Sequence, residues 1–283
     1  MLQQACDAER ATVFVSTYYS RPLSTPSVML AYDMIPEVFG VDLRVPEWLE
    51  KTDCILNASR FVAISGSTAR DLSDLYSAID RARITVAHCG VASVFRPCNA
   101  AQTEEFRRRH AIRNPFYLLV GGRRGYKNAR TFFRAFAMLP DRSHRAVVWV
   151  GGEQALDDEE QALCAGSEVH LLRLDDEELR LAYGAAIALA FPSAYEGFGM
   201  PVAEAMACGC PVVTTKSASL PEVAGDAALT VAATDVEALA EALAHVQHPS
   251  VREHLIRSGL ARARRFSWTH MAEVVASVLS EFH

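Results

Sequence analysis

"IALAFPSAYEGFGMPVAEAMACGCPVVTT", residues Ile187 to Thr215, holds in one stretch the pattern that sets the fold. The apolar run Ile187–Phe191 is bounded by Pro192 and reads as a short buried strand. A turn with Gly197 and Gly199 follows, and Pro201 opens a helix, "PVAEAMAC", at a position where its missing N–H costs nothing. Pro211 then starts a second apolar run, "PVVTT". Strand, helix and strand in such close succession form a parallel crossover. The same stretch puts one carboxylate, Glu196, before the glycine turn and another, Glu204, one turn into the helix.

The alternation extends through most of the chain. Ala11–Ser16, Pro26–Asp33, Phe61–Ser65 and Ile84–His88 read as short buried strands. Between the last two, the helical spacing from Thr68 predicts one face carrying Leu72, Leu75, Tyr76 and Ile79. After Pro115 the order is strand "FYLLVGG", helix "NARTFFRAFAML", strand "AVVWVGG", short helix "EEQALCAG" and strand "VHLLRL". "DDEELRLAYGAA" follows, with Asp175 as N-cap and Glu178 three places on, the pattern of a capping box. Ser219 with Glu222 suggests a second cap. The expected class is α/β, with two Rossmann-like parallel-sheet domains, residues 1–113 and 114–283.

Length and composition agree. At 283 residues, 50% hydrophobic and 22% charged, the chain suits about two core-forming domains. A net charge of −6 argues against nucleic acid as a partner. The basic runs Arg107–His110 and Arg262–Arg265 lie in helical patterns and read as solvated faces. Seven cysteines are scattered without a CxxC pair, which fits a reducing cytoplasm. Cys208 and Cys210, at a helix end, read as small buried thiols, and no metal-ligand spacing is found among the histidines. No apolar run reaches the roughly 18 residues of a membrane span.

Two segments carry chemistry. In parallel sheets, ligands sit beyond the carboxyl ends of the strands, where helix N-termini point. Pro192–Gly199 is such a crossing, with a helix start that favours an anion and carboxylates that accept hydrogen bonds from sugar hydroxyls. Glutamates that merely complement the helix dipole fit the spacing equally well. "LLVGGRRGYKNARTFF", Leu118–Phe133, is a strand, a glycine turn and a helix carrying Arg123, Arg124 and Lys127, cations suited to a diphosphate. A turn decorated with solvated basic residues is the alternative. The glycines have neither dinucleotide-binding nor Walker A spacing.

These stretches resemble a known family. "YEGFGMPVAEAMACGCPVV" is similar to the E-x7-E signature of retaining glycosyltransferases of family 4, which have the GT-B fold. "VGGRRGYKNARTFFRAF" looks like that family's diphosphate-binding segment. "LDDEELRLAYGAAIALAFPSAYEGFG", "SLPEVAGDAA" and "FSW" match its pattern in order, densely from Pro115 to about Met271. "PSVMLAYDMIPEVF" and "FVAISGSTARDL" match more weakly. The resemblance implies a GT-B-like pair of domains facing a cleft, and a metal-independent hexosyltransferase. Its donor would be a nucleotide-sugar, a substrate rather than a cofactor, with GDP-mannose the first expectation and a UDP-sugar the second. Arg123 and Lys127 would hold the two phosphates, Gly122 and the backbone of Phe198, Gly199 and Met200 would line the donor pocket, Glu196 would meet the transferred sugar, and Glu204 would hold the ribose. The acceptor would be a glycan or lipid-linked glycan of a bacterial surface polysaccharide, reached in the cytoplasm or at the inner face of the membrane. The sequence contains no D-x-D, which the metal-dependent alternative fold would show.

Two departures fall in the first domain. No glycine-rich strand–helix unit precedes "ATVFVSTYY", so this domain reads as shortened relative to the family. The family's His-Asp pair stands here as Tyr32-Asp33. Asp33 is a candidate for the cleft or a simple cap, and His88 a candidate for the cleft or a packing residue. The alternative reading is a nucleotide-sugar-binding subunit that needs a partner chain or a second copy to complete the domain. A nucleotide-sugar epimerase is a third reading, disfavoured by the E-x7-E context.

Overall fold

The computed structural model describes residues 1–123, 125–153 and 155–282. The chain divides into two compact units. The first contains Met1–Gly90, Glu196–Phe198 and the segment from Ser267 onward, and the second Val91–Tyr195 and Gly199–Phe266.

In the first unit four strands form a parallel sheet in the order β1 (Phe14–Ser16), β2 (Ser27–Ala31), β3 (Arg60–Ala63) and β4 (Ile84–Val86). All four overlap the apolar runs read from the sequence and are shorter than them, β3 beginning one residue earlier, at Arg60. Helix Pro46–Asn57 links β2 to β3, starting at a proline whose preceding Val45 is extended. Helix Gly66–Leu75 links β3 to β4, with Ser65 accepting the Thr68 N–H at its start. It buries Ala69 and Leu72, but it ends at Leu75, which is 46% exposed. The predicted face is therefore shorter than the spacing implied: beyond the helix, Ile79 still reaches the core but Leu75 does not. A buried ion pair crosses this unit, Lys51 Nζ to Glu37 Oε2 at 2.8 Å, with the Tyr76 hydroxyl donating to Glu37 Oε1 at 2.9 Å.

In the second unit six parallel strands lie in the order β10-β9-β8-β5-β6-β7. They are β5 (Phe116–Val120), β6 (Ala146–Val150), β7 (Glu168–Leu172), β8 (Ala188–Phe191), β9 (Val212–Thr215) and β10 (Leu229–Val231). Its core is aromatic: Phe132 and Phe136 of helix Ala129–Ala137 stack at 5.8 Å, and Phe133 stacks on Trp149 at 5.9 Å. Asp175 accepts the Glu178 N–H as expected, but the Glu178 carboxylate turns to Arg109 at 3.3 Å and His110 at 3.5 Å. A charged partner from another helix competes with the reciprocal half of the capping box. Ser219 stands at its helix N-terminus with helical backbone and makes no side-chain cap bond, so that second expected cap is absent. The sequence reading put a division after residue 113. In the structure helix Ala100–Arg109 packs on helix Asp176–Ala185 and belongs to the second unit.

The strand order of that unit reverses at one point, the place where sheets of this kind bind ligands. The chain runs outward from β5 through β6 to β7, returns to lay β8 on the other side of β5, and continues through β9 to β10. The order reverses between β5 and β8, so the loops leaving those two strands diverge and open a crevice at their carboxyl ends. Among the described residues no helix is long and apolar enough to cross a membrane.

Candidate functional site

The two segments singled out from the sequence are the loops leaving β5 and β8. They are joined directly. The Ala194 N–H donates to the Tyr126 carbonyl at 2.7 Å, and Asn128 Nδ2 donates to the carbonyls of Pro192 at 3.1 Å and Ala233 at 2.7 Å. Asn128 does this from a left-handed backbone, φ +58°, while its Oδ1 accepts from Thr131 Oγ1 at 2.8 Å. The sequence reading gave Asn128 no role, although asparagine's tolerance of left-handed geometry was a signal in "GYKN".

Lys127 ends a 3₁₀ turn, Gly125–Lys127, and its ammonium lies 5.1 Å from the Tyr126 ring centroid and 5.5 Å from that of Phe191. With Gly122, Pro192 and Ser193 it lines a small recess at the crevice. Arg123 points elsewhere. It is 5% exposed; its Nη1 donates to the Glu153 carbonyl at 2.6 Å, its Nη2 donates to the Ala155 carbonyl, and its Nε lies 3.5 Å from Glu160 Oε2. The guanidinium also lies 5.6 Å from the Trp149 ring. Every nitrogen of Arg123 is thus engaged with protein groups. Arg124 lies outside the described residues.

Helix Met200–Ala207 leaves the β8 loop through Gly199, whose φ of +100° suits glycine and where a Cβ would come 2.8 Å from Leu220 Cδ2. Gly197 is dictated by packing. A Cβ there would sit 1.9 Å from the Tyr32 carbonyl oxygen, and the Gly197 carbonyl accepts from Thr68 Oγ1 at 3.2 Å. The two glycines therefore answer steric demands. Met200 is half-buried at the first helical position, ahead of Pro201.

Glu204 is half-buried, and its Oε2 accepts from the hydroxyl of Tyr183, a residue buried in helix Asp176–Ala185, at 3.0 Å. Burial pushes the Glu204 carboxyl up to about 7; the Tyr183 hydrogen bond opposes this and the charge of Asp176 adds to it. A carboxyl raised in this way contributes stability below the ordinary carboxylate range, and that contribution is lost as pH rises through about 7. Sequence reading did not anticipate Tyr183.

The remaining candidates lie in the first unit. Glu196 is buried at 8% exposure, and Phe198 is buried with its ring 5.9 Å from that of His88. His88 thus makes a packing contact at the end of β4. Asp33 accepts the Ile35 N–H at 2.9 Å from one residue before Met34, the N-cap of the short helix Ile35–Val38, and its carbonyl accepts from Lys51 at 3.1 Å. The structure brings Gly122, Lys127 and the β8 loop together in the second unit, and Glu196, Phe198, His88 and Asp33 are constituents of the first.

Comparisons with known proteins converge. A family model described as "Glycosyl transferases group 1" matches residues 102–260. The chain is 38% identical over 161 residues to O-antigen chain mannosyltransferase B of Escherichia coli, covering 54% of this chain and 42% of that one. Among solved structures, sucrose-phosphate synthase from Thermosynechococcus elongatus superimposes with a TM-score of 0.79 at 20% identity, over 99% of this chain and 77% of that one. Anabaena HepE in complex with UDP-glucose gives a TM-score of 0.74 at 19% identity, over 90% and 71%. At those identities the likeness is one of fold. The chain spans about half the length of the curated relatives it matches.

Proposed function

Because this chain belongs to the glycosyl transferases group 1 family, we propose that it moves a hexose from a nucleotide-sugar to a glycan or lipid-linked acceptor, with retention and without a metal ion. Its two parallel-sheet units are of the GT-B class. The observation that carries the reading is the joining of the β5 and β8 loops at the reversal of strand order, with Lys127 lining a recess formed with Gly122, Pro192 and Ser193.

In the proposed reaction the bond from the anomeric carbon to the diphosphate oxygen breaks, and a bond to an acceptor hydroxyl oxygen forms on the same face. The leaving phosphate oxygen takes the acceptor's proton. Negative charge grows on the diphosphate, and Lys127 with the N–H groups opening helix Met200–Ala207 would stabilise it. Glu204 would accept the ribose hydroxyls and Glu196 those of the transferred sugar. GDP-mannose is the first donor, in line with the mannosyltransferase relative, and a UDP-sugar the second. We place the chemistry in the cytoplasm, at the inner face of the membrane when the acceptor is lipid-linked.

The test is titration with GDP-mannose and UDP-glucose while diphosphate release is followed, with Glu204→Ala as control. Binding with slow release, both lost in the variant, supports the reading; no binding of either donor overturns it. A second reading, a nucleotide-sugar-binding subunit whose turnover needs a partner chain, is favoured by apolar residues left uncovered in the first unit, including Leu23 at 81% and Phe39 at 47% exposure. Binding without release across a panel of acceptors would select it.

The Glu204 carboxyl gives a further expectation. From pH 6 to pH 8 its ionised fraction rises from about a tenth to about nine-tenths for a group titrating near 7. A carboxylate accepts from ribose hydroxyls more strongly than the neutral acid does. Donor affinity should therefore increase several-fold over that range, and Glu204→Gln should flatten the profile. A wild-type profile as flat as the variant's would remove Glu204 from the donor site.

A further inference from the structure

The residues after β1 form an aromatic surface that none of the chemistry above uses. Tyr18 and Tyr19 follow Ser16 at the carboxyl end of the strand, the side on which parallel sheets bind ligands. Their rings stack at 4.1 Å with 27° between planes. Trp48, from helix Pro46–Asn57, meets Tyr19 edge-on at 6.0 Å. Tyr19 and Trp48 are half-buried, whereas Tyr18 is 63% exposed. The result is an aromatic ring supported from behind and open in front.

The segment is anchored. Ser16 Oγ donates to the Tyr18 carbonyl, and Cys54 Sγ reaches the Ser20 carbonyl at 3.7 Å. Arg21 grips Asp53 through Nε at 2.7 Å and Nη2 at 2.9 Å. A surface fixed in this way loses little conformational entropy when a ligand covers it.

The surroundings hold the carboxylates of Asp33, Glu37 and Glu47, with the Lys51 ammonium paired to Glu37. Lys51 Nζ lies 3.1 Å from the Asp33 carbonyl and 5.7 Å from the Tyr19 ring centroid, which sets the Asp33 backbone near Tyr19. Burial first, then the charges of Asp33, Glu37 and Glu47 among its neighbours, raise the Tyr19 hydroxyl's pKa, so it stays a neutral donor and acceptor. One Asp33 oxygen accepts the Ile35 N–H, and a carboxylate has about four lone-pair sites.

A flat apolar ring bordered by carboxylates suits one class of ligand. A pyranose offers an apolar C–H face, whose slightly positive hydrogens meet the negative face of an aromatic ring, and a rim of hydroxyl donors. A phosphate or an anionic lipid headgroup would be repelled by Asp33 and Glu47, Glu37 being paired with Lys51. A bare hydrocarbon chain would make no use of the lone-pair sites of Asp33 beyond the one that accepts the Ile35 N–H. We infer that Tyr18 is the stacking surface of a pyranose subsite for the acceptor glycan, with Asp33 accepting from its hydroxyls. This rests on the reading of the chain as a transferase with a glycan acceptor.

The test uses methyl α-D-mannopyranoside and an α-linked mannobiose as probes, titrated into the full chain and followed by saturation-transfer NMR. Tyr18→Phe keeps the ring and Tyr18→Leu keeps an apolar side chain without a flat face. The expected result is a roughly fivefold to tenfold loss of pyranoside affinity in Tyr18→Leu and less than twofold in Tyr18→Phe. GDP-mannose affinity and thermal midpoint should be unchanged in both. Equal pyranoside binding by Tyr18→Leu and wild type overturns the subsite, as does failure of both probes to bind wild type. Tyr18-dependent pyranoside binding in a chain that binds no nucleotide-sugar would uphold the subsite while the donor reading falls. Donor binding with Tyr18-independent pyranoside binding would do the reverse.

Discussion

Lys127→Ala is expected to slow diphosphate release from a nucleotide-sugar by about 10²–10³-fold with the fold intact, the loss typical of removing one preorganised group from a developing anion. The magnitude follows from where the ammonium sits. It lies against the rings of Tyr126 and Phe191, and aromatic walls lower the local dielectric and strengthen its attraction to phosphate. Its backbone is fixed, because the Tyr126 carbonyl and the Asn128 side chain are bonded to the β8 loop. A cation already in place costs no reorganisation as charge develops. Lys127→Arg should recover only part of the loss, since a planar fork does not reproduce a point charge. Single-turnover release with saturating GDP-mannose measures this, and a Lys127→Ala rate within fivefold of wild type would remove the residue from the reaction.

Arg123→Ala should act first on stability, which is not what a phosphate ligand does. The side chains of Arg123 and Glu160 are 3% and 7% exposed. Removing the arginine leaves the buried Glu160 carboxylate without its cation, and the Glu153 and Ala155 carbonyls without their donors. Breaking one side of a buried pair costs about 3–5 kcal/mol, a large share of a domain's stability. Glu160 also closes the capping box of helix Asp158–Leu163, so the damage should spread to that helix. The double variant Arg123→Met with Glu160→Leu should recover much of the loss, because neither charge is then stranded. Urea unfolding and donor affinity are the paired measurements. An Arg123→Ala protein of wild-type stability that has lost donor binding would restore the direct phosphate role the resemblance implies and would sink the clamp.

These two residues mark how far local sequence reaches. "VGGRRGYKN" reads correctly as a strand, a glycine turn and a helix start, because apolar runs and helix caps are decided by neighbours in the chain. It cannot say that Arg123 turns inward. That depends on carbonyls near residue 155 and a glutamate at 160, brought close by the pairing of β5 with β6. Glu178 gives the same lesson, since a capping box was legible but its competitors, Arg109 and His110, were not.

The alternation of apolar runs with helical periods determined by itself that this is a parallel α/β protein, and the order of motifs from Pro115 to Met271 pointed to its family. The boundaries of the strands read from the sequence followed to within a few residues, but β10 was not read from it, and β7 is half-buried along its length. Only the tertiary structure decided that β8 returns beside β5, that Asn128 joins their loops, that Tyr183 holds Glu204, and that the last helix belongs to the first unit. Periodicity records which residues seek burial. Which distant surface buries them is settled by packing, where partners far apart in sequence compete for the same face.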